Sequence, residues 1–399
     1  MNMLMNQKEV KFKKIGDLLV FLSENNEYYS KILKKYNINI SDIENSFEFI
    51  PIQTKKDIRE NFSQYISRNL EDKIEELTSG STGMPLKCYK TSSERISASL
   101  TLWNERKKHD KKITPYNFMP IVGMQTYNEI GDFCLFSYEN MKKCFNGMME
   151  RKPRMICGPP TTIYQYARLI KKGLLDYEAG IIKFIELSGE YVDIKQKKYI
   201  EEAFKCKCLN QYGTRECWCI AYECIEGHLH VVKDVYVETV NQNNDVIINA
   251  HAAGEITITS LYNKLMPFVR YNIGDMGIVE YKKCICGVES QIITLAGGRN
   301  GDIIKGKVNI LGDIFFKRAI NDLIEAGFDI IESFRVEQIS ENHFRIYIVP
   351  TTIFAIEASE FLSNTIKRGL GSETEVEYCV VGNIPTLNSG KLKTFVCLV

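Results

Sequence analysis

Between Gly158 and Glu216 the chain changes its hydrophobic period in alternation. GPPTTIYQYARLIKKG, residues 158–173, carries apolar residues at helical spacing behind a proline-rich entry, and IIKFIELSGE is an apolar run closed by a turn. DIKQKKYIEEAFKC then returns to helical spacing, and KCLNQYGTRE to a strand. Strand, helix, strand in this order predicts βαβ units and a parallel sheet, because only a crossover of this length lets successive strands run the same way.

The pattern on either side is different. The first 75 residues read as mostly helical, with Ile15, Leu18, Leu19 and Leu22 on one helical face and Thr54 and Asp57 of PIQTKKDIRENF suited to cap a helix start. Ile96, Leu100 and Trp103 recur at helical spacing between Ser92 and Lys108. After Gly227, HLHVVKDVYVETV, DVIINA, GEITITSL and FVRYNIGDMGIVEY are short alternating runs parted by Asn and Gly, the pattern of an antiparallel sheet or small barrel. Beyond Gly301 come a helix near Ile314 to Ala326, strands IIESFRVEQI and HFRIYIVP, a helix near Ile356 to Arg368 and a strand EVEYCVVG. A chain of 399 residues exceeds one ordinary core. The fold expected is α/β: an N-terminal domain over 1–300 with parallel βαβ units and an antiparallel barrel-like part, and a small α+β domain over 301–399, parted at GGRNGD.

Charge and hydropathy exclude several classes. Lys and Arg number 51 against 50 Asp and Glu, a net charge of +1 with no long block of one sign, so neither nucleic acid nor an anionic membrane is an expected partner. No run approaches the roughly 20 apolar residues of a membrane span. The N-terminus lacks a small-residue cleavage site, and Asp17 interrupts its apolar run. Thirteen cysteines without a secretory signal suit free thiols or metal ligands in the cytoplasm better than a disulfide framework.

ELTSGSTGMPLKCYKT, residues 76–91, gathers small and hydroxylated residues whose backbone amides can converge on an anion. It is not a Walker A loop, since Met84, Pro85 and Leu86 separate Gly83 from Lys87, and LKCYKT reads as a following strand rather than a helix. Alone, the stretch also admits a second reading as a flexible surface loop.

Four more segments change that reading. QYGTRE (Gln211–Glu216), FVRYNIGD (Phe268–Asp275), GGRNGDIIKGKVNI and IPTLNSGKLK, with the loop above, resemble the motif set of the adenylate-forming superfamily of acyl-CoA synthetases, adenylation domains and luciferases, in its order, over residues 78–391. IPIQTKKDIREN and ECIEGHLHVVKDVYVE resemble elements of its phenylacetate–CoA ligase branch.

The resemblance implies roles, residue by residue. Ser79, Gly80, Ser81, Thr82, Gly83 and Lys87 would hold the β- and γ-phosphates of ATP and then pyrophosphate. Glu216 would hold Mg²⁺, a hard cation suited to a carboxylate. Tyr212 would stack on adenine within the Gln211, Gly213 and Thr214 segment, with Asn210 and the Ser188, Gly189 and Glu190 backbone lining the pocket. Asp275 would accept both ribose hydroxyls, Arg299 would sit near ribose and phosphate, and Lys391 would stabilise charge as the acyl-adenylate forms. The reaction implied is acid plus ATP to acyl-AMP plus pyrophosphate, then thioester with coenzyme A, with the small domain swinging between the steps. The substrate expected is an aryl or small apolar acid, with Tyr127, Phe133 and Phe136 in the region of the acyl pocket. The alternative is transfer of the acyl group to an amine or a carrier-protein thiol. A non-catalytic nucleotide binder is disfavoured by the intact Lys87, Glu216, Asp275, Arg299 and Lys391. A homodimer is admitted as an oligomeric state.

Two departures stand out. Gly301 and Asp302 follow GRN where the family's hinge has a charged residue, and Tyr191 follows SGE where the branch has proline. Glycine makes the hinge permissive.

Cys224, His230, Cys284 and Cys286 offer three thiols and an imidazole, a donor set for tetrahedral structural Zn²⁺; the C-x-C spacing is unusual for such a site, and free thiols beside a loop are the other reading. Similar Cys and His positions occur in some phenylacetate-ligase relatives. Cys217 and Cys219 are expected to line a pocket wall.

Overall fold

The computed structural model describes residues 2–399 apart from 71, 79–85, 122–132, 134–136, 242, 248–251, 300–303, 307–311 and 386–392. The N-terminal part contains helices α1 (Asn2–Asn25), α2 (Glu27–Lys35), α3 (Ile43–Ser46), α4 (Lys55–Glu60) and α5 (Phe62–Tyr65), strands β1 (Ile74–Leu77) and β2 (Lys87–Lys90), and helix α6 (Ser92–His109). The middle alternates β3 (Phe118–Pro120), α7 (Tyr138–Glu150), β4 (Met155–Gly158), α8 (Pro160–Lys171), β5 (Phe184–Ser188), α9 (Ile194–Phe204) and β6 (Lys207–Tyr212). Strands β7 (Ala221–Glu223), β8 (Leu229–Val231), β9 (Val235–Val240), β10 (Gly254–Ser260), β11 (Tyr271–Lys283) and β12 (Glu289–Arg299) follow. The chain closes with α10 (Gly312–Glu325), β13 (Ile331–Ser340), β14 (His343–Pro350), α11 (Ile356–Leu370), β15 (Glu375–Val380) and β16 (Phe395–Cys397). This is the expected mixed α/β fold.

Two compact units result, Met1–Lys112 with Leu209–Ala296, and Ile113–Cys208 with Gly297–Val399. In the first, α1 buries Phe12, Ile15, Leu18, Leu19 and Leu22, the predicted face. Helix α4 begins with a capping box: Thr54 accepts from the Asp57 amide while the Asp57 carboxylate accepts from the Thr54 amide at 2.8 Å. Strands β1 and β2 pair antiparallel, from Ile74 with Lys90 to Leu77 with Lys87, and the glycine-rich stretch lies between them. The strand predicted after Pro85 is β2. Antiparallel strands of this unit are ordered β6-β7-β8-β12-β11-β10-β9.

Helix α6 forms as predicted but buries another face. Ile96 and Leu100 are 59% and 57% exposed, while Glu94, Ala98, Thr101 and Arg106 are buried. Hydrogen bonds explain it: Glu94 Oε1 accepts from the Lys264 and Leu265 amides at 2.6 and 2.9 Å, and the Thr101 hydroxyl donates to Asp234 at 2.7 Å. Apolar periodicity does not register a helix face buried through satisfied polar groups.

In the second unit β3, β4 and β5 pair parallel in the expected βαβ arrangement. Their core includes Ile156, Ile163, Tyr166, Ile185, Leu187 and Phe204. Residues 304–395 have their own core and a four-stranded sheet ordered β15-β14-β13-β16, with α10 and α11 packed on it. Arg168 of α8, buried, pairs with Asp329 and donates to the Ile331 carbonyl at 2.8 Å.

Candidate active site and metal centre

Two of the motif segments are cross-linked within the first unit. The Tyr212 hydroxyl donates to Asp275 Oδ2 at 2.8 Å, and the Tyr271 hydroxyl donates to Glu216 Oε1 at 2.9 Å. Tyr212 and Glu216 belong to QYGTRE, and Tyr271 and Asp275 to FVRYNIGD. Gly213 is demanded between them, since a Cβ there would lie 1.7 Å from the Trp218 carbonyl oxygen. Gln211 donates to that same oxygen at 3.0 Å, and the Cys217 amide donates to the Thr214 hydroxyl at 3.2 Å, which fixes the turn before Glu216. Gly274, at φ 82°, donates its amide to the Asn272 side chain at 2.8 Å, an Asx turn that presents Asp275. The Asn210 amide donates to Glu223 at 2.6 Å.

Glu216 is buried, and Lys55 Nζ stands 3.6 Å from its Oε1. Burial, reinforced by the Glu216 charge, raises the Tyr271 hydroxyl well above the usual tyrosine range. The same two causes push the Cys217 thiol up to about 12 and raise Cys88 further, so all three are neutral at pH 7.

A second network ties the hairpin that carries the glycine-rich stretch to the Glu216 loop. Lys90, wholly buried, pairs with Glu76 at 2.8 Å and donates to the Arg215 carbonyl at 2.7 Å. Trp218 Nε1 donates to Glu76 at 3.0 Å. Burial pushes the Glu76 carboxyl up, but Lys90 and Trp218 outweigh it and hold the group below the usual range. Lys87 pairs with Glu75 at 3.0 Å in solvent.

The remaining predicted site residues lie elsewhere. Ser188 ends β5 in the second unit and Gly189 and Glu190 follow it; Glu190 accepts from the amide and hydroxyl of Thr161 at 3.1 and 2.6 Å, at the start of α8. Arg299 ends β12 in the same unit. Ser79, Gly80, Ser81, Thr82, Gly83 and Lys391 fall outside the described residues, as do Tyr127, Phe136, Gly301 and Asp302. Phe133 is buried in the core, its ring 6.4 Å from that of Tyr166. The motif comparison missed Lys55, Lys90 and Arg270. Lys55 had a signal, its place in the PIQTKKDIREN element; the other two show only through partners distant in sequence.

Two matching turns build the Cys/His cluster. The Cys224 amide donates to the His228 carbonyl and that of Cys284 to Val288, both at 2.9 Å, and each turn closes on a glycine at positive φ, Gly227 and Gly287. Ligand atoms of Cys224, His230, Cys284 and Cys286 lie within 4.8 Å of one another. The Cys224–Cys284 sulfurs are 3.9 Å apart and Cys286 Sγ is 3.4 Å from His230 Nε2. A zinc tetrahedron with ordinary bond lengths has S···S edges of about 3.8 Å and S···N edges of about 3.5 Å, and these two separations match them. His230 Nδ1 bonds Ser290 Oγ at 2.7 Å, which orients Nε2 toward the sulfurs. His228 Nδ1 also approaches Cys284 Sγ, at 3.2 Å. Cys217 and Cys219 are buried apart from this cluster.

The fold is that of the adenylate-forming ligases. The 2-hydroxyisobutyryl-CoA ligase, solved in its postadenylation state with an acyl-AMP, superposes with a TM-score of 0.75 over 97% of this chain and 88% of its own, at 16% identity. Among curated proteins, CapK of Staphylococcus aureus is 24% identical over 402 residues, 96% of this chain and 87% of its own. A phenylacetate–coenzyme A ligase of Thermus thermophilus is 26% identical over 179 residues, 41% of this chain and 40% of its own. A phenylacetate–CoA ligase thus stands among the sequence relatives, and the fold is shared with acyl-CoA ligases of the adenylate-forming superfamily. No protein-family model matches the chain. Among the described residues no helix is long and apolar enough to cross a membrane.

Proposed function

We propose that this chain is an ATP- and magnesium-dependent carboxylic acid–coenzyme A ligase acting through an acyl-adenylate on an aryl or small apolar acid. The observation that carries the reading is the double cross-link, Tyr212 to Asp275 and Tyr271 to Glu216, between two segments whose matching motifs bind nucleotide and metal.

In this reading the Tyr212 ring meets adenine, and its hydroxyl orients Asp275 toward the ribose hydroxyls. The resemblance assigns Asn210 and the Ser188–Glu190 backbone to purine binding, and Arg299 to ribose and phosphate. Ser79 to Gly83 and Lys87 hold the phosphates; Lys87, exposed on a hairpin strand, can exchange Glu75 for a phosphate. Glu216 fits a divalent cation: both Tyr271 and Lys55 meet Oε1, and among the described residues Oε2 takes no hydrogen bond. Mg²⁺ held there would neutralise charge on the phosphates. The acid's carboxylate oxygen attacks the α-phosphorus, the bond to the bridging oxygen breaks, and pyrophosphate leaves with that electron pair. Lys391 stabilises the charge that develops. The thiol of coenzyme A then loses its proton and attacks the acyl carbon, and AMP leaves.

Residues 301–399 would serve as the moving lid, a role their separate sheet and core support. Cys224, His230, Cys284 and Cys286 would hold structural Zn²⁺, which pins the β7–β8 turn to the β11–β12 turn. An ATP-requiring enzyme whose described cysteines form no disulfide fits the cytoplasm.

The test is pyrophosphate release from ATP with a panel of aryl, aliphatic and amino acids, with and without coenzyme A. Acid-dependent turnover that needs coenzyme A and yields a thioester is expected, and Lys391→Ala should abolish adenylate formation while ATP still binds. Release limited to one equivalent regardless of coenzyme A would overturn the acceptor. No acid-dependent release would overturn the reaction.

A further inference from the structure

Lys55 stands where local rules do not favour a cation. It is the first residue of α4, and the unpaired amides of a helix start carry partial positive charge. Its neighbour Lys56 reaches into solvent, 81% exposed, toward Glu60 at 3.8 Å. Lys55 turns inward instead: its side chain is 18% exposed and its Nζ lies 3.6 Å from Oε1 of Glu216, whose side chain is 4% exposed.

The backbone imposes this placement. Gln53 donates its amide to the Arg270 carbonyl and accepts from the Asn272 amide, both at 2.8 Å, so residue 53 lies parallel to Tyr271. Helix α4 starts two residues later, which carries Lys55 to the oxygen that the Tyr271 hydroxyl already holds. Among the described residues Lys55 is the one cation paired with this carboxylate. At 3.6 Å the pair neutralises charge, yet it is longer than the roughly 2.7–3.2 Å of a direct hydrogen bond, so the ammonium can yield without breaking one.

We propose that Lys55 is the counter-ion of Glu216 in the metal-free protein, a positioning residue that keeps the buried carboxylate from repelling the nucleotide's phosphates until a divalent cation accompanies them. This rests on the nucleotide reading of Glu216 above. Removing one member of a buried pair leaves the other charge uncompensated. Without Lys55, metal-free ATP, carrying its full negative charge, meets an unpaired carboxylate; MgATP does not, because its cation takes that carboxylate.

The test is calorimetric ATP binding in magnesium-free buffer and in excess Mg²⁺, with no acid present, on wild type, Lys55→Met, Glu216→Gln and the double variant. Lys55→Met should weaken metal-free ATP binding on the order of tenfold, or 1.4 kcal/mol, and change MgATP binding by less than about threefold. Adding Glu216→Gln should restore the metal-free affinity, and Lys55→Arg should bind as wild type does. Equal weakening with and without Mg²⁺, or a double variant no better than Lys55→Met, overturns the counter-ion role while leaving the nucleotide site intact. Wild type that binds no ATP overturns the nucleotide reading and this proposal with it. If Lys55→Met does not fold, judged by circular dichroism, Lys55→Gln takes its place in the same cycle.

Discussion

The hydroxyl of Tyr212 and the carboxylate of Asp275, 63 residues apart in sequence, meet at 2.8 Å. An O–H donated to a carboxylate is a charge-assisted bond that fixes orientation as well as energy. In the proposed function it gives Tyr212 two tasks, a face for the purine and an edge that aims Asp275 at the ribose. Tyr212→Phe keeps the first and removes the second. Nucleotide affinity should fall several-fold, about 1 kcal/mol, while Asp275→Ala costs more and the double variant costs no more than Asp275→Ala. Titration calorimetry with MgATP checks the order, and unchanged affinity in Asp275→Ala would remove this pair from the ribose site.

The buried Lys90 joins β1, through Glu76, to the Arg215 carbonyl beside Glu216. Lys90→Met leaves Glu76 buried with a weaker set of partners, the Trp218 indole and Arg95 at 3.4 Å. The expected loss of stability is about 3–5 kcal/mol. Lys90→Met with Glu76→Gln should recover part of it, because the uncompensated charge is gone. Chemical denaturation measures both. A loss below about 1 kcal/mol in the single variant would show that the pair is solvated and does not hold the hairpin.

Much of the fold was legible because it follows from local periodicity. HFRIYIVP coincides with β14, the helix expected near Ile356 to Arg368 is α11, and the alternation after Gly158 gives α8, β5, α9 and β6. Candidate site residues were legible where they lie in contiguous motifs, as Glu216 does in QYGTRE and Asp275 in FVRYNIGD. Lys55, Lys90 and Arg270 were not, although each stands inside a quoted segment, because their meaning lies in partners 161, 125 and 32 residues away. On sequence alone a lysine at a helix start and one in a short strand are ordinary solvated charges; burial and an opposing carboxylate distinguish them. The exposed Ile96 and Leu100 on α6 fail the other way, since hydrophobic spacing cannot tell which face the tertiary structure will cover.

Arg270 places the segment that carries Tyr271 and Asp275. It is 2% exposed, adopts φ 47°, pairs with Glu238 at 3.1 Å and donates to the carbonyls of Glu48 and Ile50. A non-glycine residue in this region is strained, and the three partners hold it there. Arg270→Met should destabilise the protein by about 3–5 kcal/mol, because the Glu238 carboxylate and two carbonyls are left buried without donors. Arg270→Lys should recover only part, since an ammonium cannot reproduce the guanidinium's fixed fork. Thermal unfolding ranks the three proteins; a lysine variant as stable as wild type would show that charge alone, not geometry, holds the segment.

The Cys/His cluster predicts both a metal and how it is lost. Purified protein prepared without chelator should carry about one zinc per chain, the occupancy of a single four-donor site. Cys286→Ser should lower that content and the unfolding temperature together, since metal binding to a folded site is folding free energy. The pH dependence has a fixed sign. Burial pushes the Cys224 thiol up to about 11, so at pH 7 it is protonated without metal, and the metal must displace that proton. Burial, with His228 and Lys108 nearby, holds His230 below the usual histidine range, so the imidazole remains neutral further into acid than a free histidine. The first proton competitor is therefore the Cys224 thiol, and zinc should be released progressively as pH falls. Elemental analysis after equilibration across pH 8 to 5 follows the release. Protein that contains no zinc at pH 8, or whose zinc content is unaffected by Cys286→Ser, would place these four residues among ordinary free side chains.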